Sequence, residues 1–144
     1  MSAKVIVAEF GSNLQIQSIG LRYEILRKPL GLKFTAEELL TENSETHILA
    51  ITDHLVCGCM LLKPLHNEVV KMRQVAVAKH LQSFGIGNAM VQFAEEWCRN
   101  AGYKCIELHA RDTAVKFYLN HQYQVFGNPF TEVGIPHLAM KKDL

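Results

Sequence analysis

The hydrophobic pattern changes period several times along the chain, and each change predicts an element. Lys4 to Phe10 (KVIVAEF) is rich in β-branched residues and predicts a strand. Leu14, Ile16, Ile19, Leu21, Tyr23, Ile25 and Leu26 then recur at mostly helical spacing. Ser12 or Asn13 can cap that helix, and Pro29 and Gly31 end it. Thr35-Ala36-Glu37-Glu38 has the form of a capping box and opens a short helix through Leu40. Three apolar runs follow: His47 to Thr52, Leu55 to Leu62 and Val69 to Val77. The tight Asp53-His54 link and the Pro64 to Asn67 break divide them into three strands. Ala89, Met90, Phe93, Ala94 and Trp97 return to helical spacing, which Gly102 stops. Cys105 to His109 predicts a strand and Thr113 to Asn120 a compact helix. Tyr123 to Phe126 and His137 to Lys141 predict two last strands, joined by a loop holding Gly127, Pro129 and Gly134. The order β-α-α-β-β-β-α-β-α-β-β shows neither repeat nor linker. It predicts one α/β (α+β) domain over residues 1–144, a mixed sheet flanked by helices.

Composition leaves that picture intact and removes several partners. With 144 residues, 49% hydrophobic and 20% charged, the chain is long enough to bury a core of ordinary globular composition. The formal net charge is +1, and acidic and basic residues are mixed along the length. Nucleic acid and anionic membrane are therefore not expected as partners, and any positive charge that matters is local. No apolar run reaches the length of a membrane span, and the first residues lack the basic-then-apolar pattern of a signal peptide. Cys57, Cys59, Cys98 and Cys105 match no zinc spacing. They read as free buried thiols of a cytoplasmic protein, with Cys57 and Cys59 on one face of their strand; no metal is expected.

The chemistry concentrates in VAVAKHLQSFGIGNAM, Val75 to Met90. An apolar strand runs into a basic, polar loop, then two glycines, then a helix. Successive backbone N–H groups at a helix N-terminus suit an anion such as a pyrophosphate. A P-loop would place lysine and serine or threonine after its last glycine, but Asn88-Ala89 follow Gly87. A Rossmann fingerprint would need a third glycine where Met90 stands, and Ala78 to Phe84 is too long for its tight first turn. Only Glu107, placed where a ribose-binding acid would fall, favours it. What remains is Gln82-x-x-Gly85-x-Gly87 behind a Val-Ala-Val strand.

That pattern resembles motif A of the GNAT superfamily of acyl-CoA-dependent N-acyltransferases. Ala110-Arg111-Asp112-Thr113-Ala114-Val115-Lys116-Phe117-Tyr118 resembles the motif B helix, with His121-Gln122-Tyr123 in place of the usual glycine-containing turn. Phe130-x-Glu132-x-Gly134-Ile135-Pro136-His137-x-x-Met140 is similar to the C-terminal strands of the ElaA-like branch. The three stand in the right order and extend the likeness over nearly the whole chain. The resemblance implies a mostly antiparallel sheet, acetyl-CoA as cosubstrate, and direct attack on the thioester by a primary amine of a small molecule or peptide. It places the pantetheine arm along the backbone of Val75, Ala76 and Val77, with the Val75 N–H polarising the thioester carbonyl. It wraps the pyrophosphate in Gln82, Ser83, Phe84, Gly85, Ile86, Gly87 and Asn88, with Lys79 and His80 either near it or solvated. It also allows a homodimer through the C-terminal strands.

Tyr118 falls where the family often sets a general acid for the departing thiolate; core packing beside Phe117 is the alternative. Many relatives carry a glutamate base on the strand before the loop, but Lys71, Met72, Arg73 and Gln74 fill that stretch here. Glu68, His109, Glu132 and His137 are the candidates left. Lys71 and Arg73 alternate on one strand face, either as surface charge or as an attraction for an acidic substrate. The missing glutamate leaves a second function open, a non-catalytic acyl-CoA-binding sensor or interaction module. The loop disfavours a nicotinamide oxidoreductase.

Overall fold

Residues 3–144 are described by a computed structural model, and their elements follow the predicted order. They are β1 (Lys4–Ala8), α1 (Asn13–Arg22), α2 (Ala36–Thr41), β2 (Thr46–Thr52), β3 (Leu55–Pro64), β4 (Val69–Val77), α3 (Ile86–Asn100), β5 (Cys105–Arg111), α4 (Val115–Asn120), β6 (Gln124–Glu132) and β7 (Ile135–Asp143). Local chemistry accounts for the ends. Ser12 Oγ accepts from the Gln15 N–H at 3.3 Å and caps α1. Thr35 and Glu38 bond reciprocally at 3.1 and 3.3 Å, the predicted capping box. Asp53 and His54 both have positive φ, 50° and 63°, as a two-residue hairpin between right-twisted strands requires. Past Arg22 the first helix widens into a π-helical turn, Tyr23–Arg27, which lies near the site described below.

The seven strands run β1-β2-β3-β4-β5-β7-β6. Every neighbouring pair is antiparallel except β4 with β5. On one face α3 and α4 close over Ile48, Met60, Leu62, Val70, Met72, Ile106, Leu108 and Met140, with Met90 and Tyr118 filling the middle. On the other, Leu14 and Leu21 of α1 cover Leu49, Cys59 and Ala76.

Bulges decide which residues face which layer. Ala50 pairs with Gly58 and Ile51 with Val56, so Cys57 is an extra residue in β3. Cys57 therefore enters the α3-side core while Cys59 enters the α1-side core, and the two thiols do not share a face as alternation predicted. In β4, Arg73 pairs with Leu61 and Ala76 with Cys59, leaving one residue over, and Gln74 takes φ 55°. Met72 and Ala76, both even-numbered, consequently face opposite layers.

The C-terminal hairpin is longer than expected. β6 and β7 meet at a tight turn through Val133 (φ 47°) and Gly134 (φ 75°). Gly127 and Pro129, predicted as loop, instead fall in a register shift of β6 between Phe126 and Phe130. β6 is the outer strand, where a proline and a bulge disturb no second ladder.

Candidate active site

β4 and β5 pair only from Val69 with Cys105 to Met72 with Leu108. Beyond Met72 the Gln74 bulge bends β4 away, and the two strands part. A cavity of about 330 Å³ opens where they separate. Its lining comes from both sides of the sheet: Ala114 and Tyr118 from the α4 side, Leu26 and Arg27 from the π-helical turn. The edge of β4 facing the gap has no strand partner there. Ala78 donates to the Cys57 carbonyl at 2.8 Å, so by alternation Val75 and Val77 turn their N–H and C=O groups to the gap and Ala76 turns its own to β3. The Val77 carbonyl accepts from Gln82 Nε2 at 3.0 Å, which ties the following loop to the strand.

That loop carries two left-handed residues, Ser83 (φ 72°) and Gly85 (φ 84°). Gly85 is the N-cap of α3 and offers no side chain to the helix start. Its carbonyl accepts the first intrahelical bond, from Ala89 at 3.0 Å, so the Ile86, Gly87 and Asn88 amides have no helical acceptor. Residues 79–89 include no carboxylate to oppose an anion. The backbone donors, the left-handed pair and the absence of acid fit a pyrophosphate group. The side chains have further duties. Ile86 is buried in the core, Phe84 is exposed, and Lys79 and His80 are exposed. A Cβ on Gly87 would stand 3.3 Å from the Phe117 ring, so this glycine sets how closely α3 approaches α4. Asn88 Oδ1 lies 2.7 Å from His121 Nε2 and links the same two helices.

Across the gap the predicted base candidates divide. His109 Nδ1 lies 2.9 Å from Glu132 Oε1, and His137 Nε2 lies 3.8 Å from Glu132 Oε2. The carboxylate only accepts, so His109 donates from Nδ1, and the neutral form of the ring has Nε2 as its basic nitrogen. His137 is buried, and its Nδ1–H donates to the Ile135 carbonyl at 2.8 Å. Phe130 packs between them, edge-on to His109 and stacked on His137. Partial burial opposes ionisation of Glu132, but the His109 hydrogen bond and the charges of His109, His137 and Lys71 outweigh it and hold the carboxyl below its ordinary range. Lys71 Nζ lies 3.4 Å from His109 Nδ1, and burial pulls this ammonium below its usual range against the attraction of Glu132. Glu68 is separate: it precedes β4 at the end where the strands still pair, away from the gap.

Tyr118 lines the cavity from the opposite face. It is 6% exposed, and burial pushes its phenol above the ordinary range, so it stays protonated at neutral pH. Its ring contacts Phe117 and Tyr123 edge-on. The packing role and access to the cavity therefore coexist in one residue.

Arg111 was not singled out by the sequence, and the partners of Arg73 were not visible in it. Arg111, at the end of β5, lines the cavity beside Arg27, because β5 continues two residues past its predicted end. Arg73 is neither free surface charge nor an open cation: it lies 3.8 Å from Glu42 and 3.5 Å from Glu45. Glu42 also holds the fully buried Arg22 by two bonds of 2.8 and 3.0 Å. These pairs join residues 20 to 31 positions apart, and no local periodicity reports them.

The comparisons with known proteins agree with this geometry. A family model described as "Acetyltransferase (GNAT) domain" matches residues 27–144. The uncharacterized N-acetyltransferase YjcF of Bacillus subtilis is 27% identical over 141 residues, covering 97% of this chain and 99% of that protein. A second Bacillus subtilis protein, YyaT, is 31% identical over 78 residues, and there the match spans only about half of either chain. Among solved structures, Escherichia coli ElaA superposes with a TM-score of 0.83 at 17% identity, covering 98% of this chain and 99% of its own. A GNAT acetyltransferase from Elizabethkingia anophelis, solved with acetyl-CoA bound, gives 0.73 at 18% identity, covering 99% and 98%. The parted strands, the glycine loop and the family model over most of the chain lead to one conclusion: this protein belongs to the GNAT acetyltransferase family.

Proposed function

We propose that the protein transfers the acetyl group of acetyl-CoA to a primary amine by direct attack on the thioester. The observation that carries this is the placement of His109 and Tyr118 on opposite faces of the sheet, both lining the cavity where β4 and β5 part. The cosubstrate supplies the activated acetyl group and the thiol leaving group. The chain holds its pyrophosphate with the amides from Ser83 to Asn88, and Val75 and Val77 offer backbone groups to the pantetheine arm. The Val75 N–H donates to the carbonyl oxygen where negative charge develops. His109 Nε2 takes the proton that the amine must lose, while Glu132 keeps the imidazole in the tautomer that can accept it. Tyr118, kept neutral by burial, donates its proton to the departing sulfur.

Thiol release from acetyl-CoA, measured with and without a panel of amines, tests the proposal. Release that depends on an amine, with a matching acetylated product, is the expected result. If acetyl-CoA raises the melting temperature but no amine prompts thiol release, the protein is a binding module that retains the pocket without turnover. If saturating acetyl-CoA leaves the melting curve unmoved, the loop does not hold the cosubstrate and the proposal fails.

A further inference from the structure

We infer that the acceptor is a small amino acid whose carboxylate is read by Arg111; this rests on the acetyl-transfer proposal above. Three arginines line the cavity on the α1 side, and they differ in what already neutralises them. Arg73 lies against Glu42 and Glu45. Arg27 lies 3.7 Å from Glu38 and covers the Phe34 ring at 4.6 Å. Arg111 has no carboxylate within ion-pair distance among the described residues. Among the described residues its one hydrogen bond is a long one, 3.4 Å to the Leu26 carbonyl in the π-helical turn. A guanidinium has five N–H donors in a planar fork, so a half-buried one with a single neutral partner has most of its donors unused. A carboxylate matches that fork with two parallel bonds.

The position of Arg111 adds the second constraint. It follows His109 by two residues on β5, so both side chains leave the same face, about 7 Å apart along the strand. An amine that gives its proton to His109 therefore leaves room beside it for an acid group only a few bonds away. The main-chain amine at the start of a peptide has no α-carboxylate beside it, so this pairing suits an amino acid better than a peptide segment. A polyamine would bring a second cation against Arg111, the arginine of the three with no carboxylate partner, an arrangement that disfavours it without any steric block.

The experiment compares each of the twenty amino acids with its own carboxamide, alongside a polyamine, an aminoalkylphosphonate and a short peptide. Wild-type protein and Arg111→Gln are assayed for thiol release. Titration calorimetry of the N-acetyl amino acids and N-acetyl carboxamides onto the CoA-loaded protein reads recognition without turnover. Wild type should prefer at least one acid over its carboxamide by roughly 10- to 100-fold in kcat/KM and in product affinity, the scale of one charge-assisted pair. The preference runs against the chemistry, because the carboxamide's amine is less basic and more of it is free to attack. Arg111→Gln should bring the ratio close to one, and Arg111→Lys should restore it only in part. Its melting temperature and its response to CoA show that the variant is folded. A wild-type ratio near one, a ratio that Arg111→Gln leaves unchanged, or preference for the polyamine, phosphonate or peptide overturns the inference. In each of those cases amine-dependent thiol release would still uphold acetyl transfer. Absence of acid preference in both thiol release and calorimetry overturns it as well.

Discussion

Replacing Tyr118 by phenylalanine removes one oxygen and leaves the ring between Phe117, at 5.0 Å and 85°, and Tyr123, at 5.6 Å and 71°. The packed surface is retained, so stability should change by no more than about 1 kcal/mol, the net worth of a single hydroxyl interaction. Cosubstrate binding should also persist, because the loop and the β4 edge are untouched. Turnover should fall by roughly 100-fold or more, about 2.7 kcal/mol in the barrier, the scale of one positioned proton donor. Two further signatures separate this from a packing effect. The loss should shrink with an acetyl thioester of a more acidic thiol, whose thiolate leaves without a proton. In wild type, burial raises the phenol above its ordinary range, so the donor form should persist and Tyr118 should impose no alkaline fall in kcat below about pH 9. The assay is steady-state thiol release on both thioesters across pH, with single-turnover mixing to establish that chemistry limits the rate. Wild-type turnover in Tyr118→Phe would refute the assignment and leave Tyr118 to the core.

Three other substitutions probe the supports of the site. Glu132 lies below its ordinary value of 4.5 in the folded chain, so its ionised form contributes stability above that value and the contribution is lost as pH falls through the folded value. Glu132→Gln should therefore flatten the drop in melting temperature on the acid side of about pH 4.5, and at neutral pH it should lower kcat more than acetyl-CoA affinity; an unchanged acid slope would contradict the pairing with His109. Glu42→Gln leaves the buried Arg22 guanidinium without a counter-charge and should cost about 3 kcal/mol in a urea melt, whereas a loss under about 1 kcal/mol would show the pair to be dispensable. Gly87→Val drives a branched side chain toward the Phe117 ring and should cost about 1–3 kcal/mol while disturbing the neighbouring Tyr118; an unshifted melt would mean that α3 and α4 have slack there.

Much of the site was legible along the chain because its parts are local. The glycine loop needs a strand before it, residues that tolerate positive φ and a helix after it, and Val75 to Met90 hold all three in one run. The capping box at Thr35 and the hairpin turn at Asp53-His54 are equally local, since the bonds that make them span two to four residues. The C-terminal hairpin was harder to read. Gly127 and Pro129 carry loop chemistry, yet on an outer strand they cost only a bulge, and the strand resumes in time to place Glu132 opposite Ile135. A glycine and a proline mark local strain; they do not say whether a second strand waits beyond.

From its own pattern the sequence determined the elements and their order, the strand–glycine loop–helix succession at Val75 to Met90, and the apolar strips that must be buried. Each follows from periodicity of two or 3.6 and from backbone preferences that act over a few residues. Tertiary structure alone decided where β4 leaves β5, because one extra residue at Gln74 reverses the faces of the strand and only pairing reveals it. It alone joined His109 to Glu132 across 23 residues, brought Lys71 to 3.4 Å from His109 across 38, and tied Arg73 to Glu42 and Glu45 while leaving Arg111 with no carboxylate at ion-pair distance among the described residues. Those outcomes depend on Coulombic and hydrogen-bond partners supplied by strands distant in sequence, and a charge carries no mark of its partner until the sheet brings the two together.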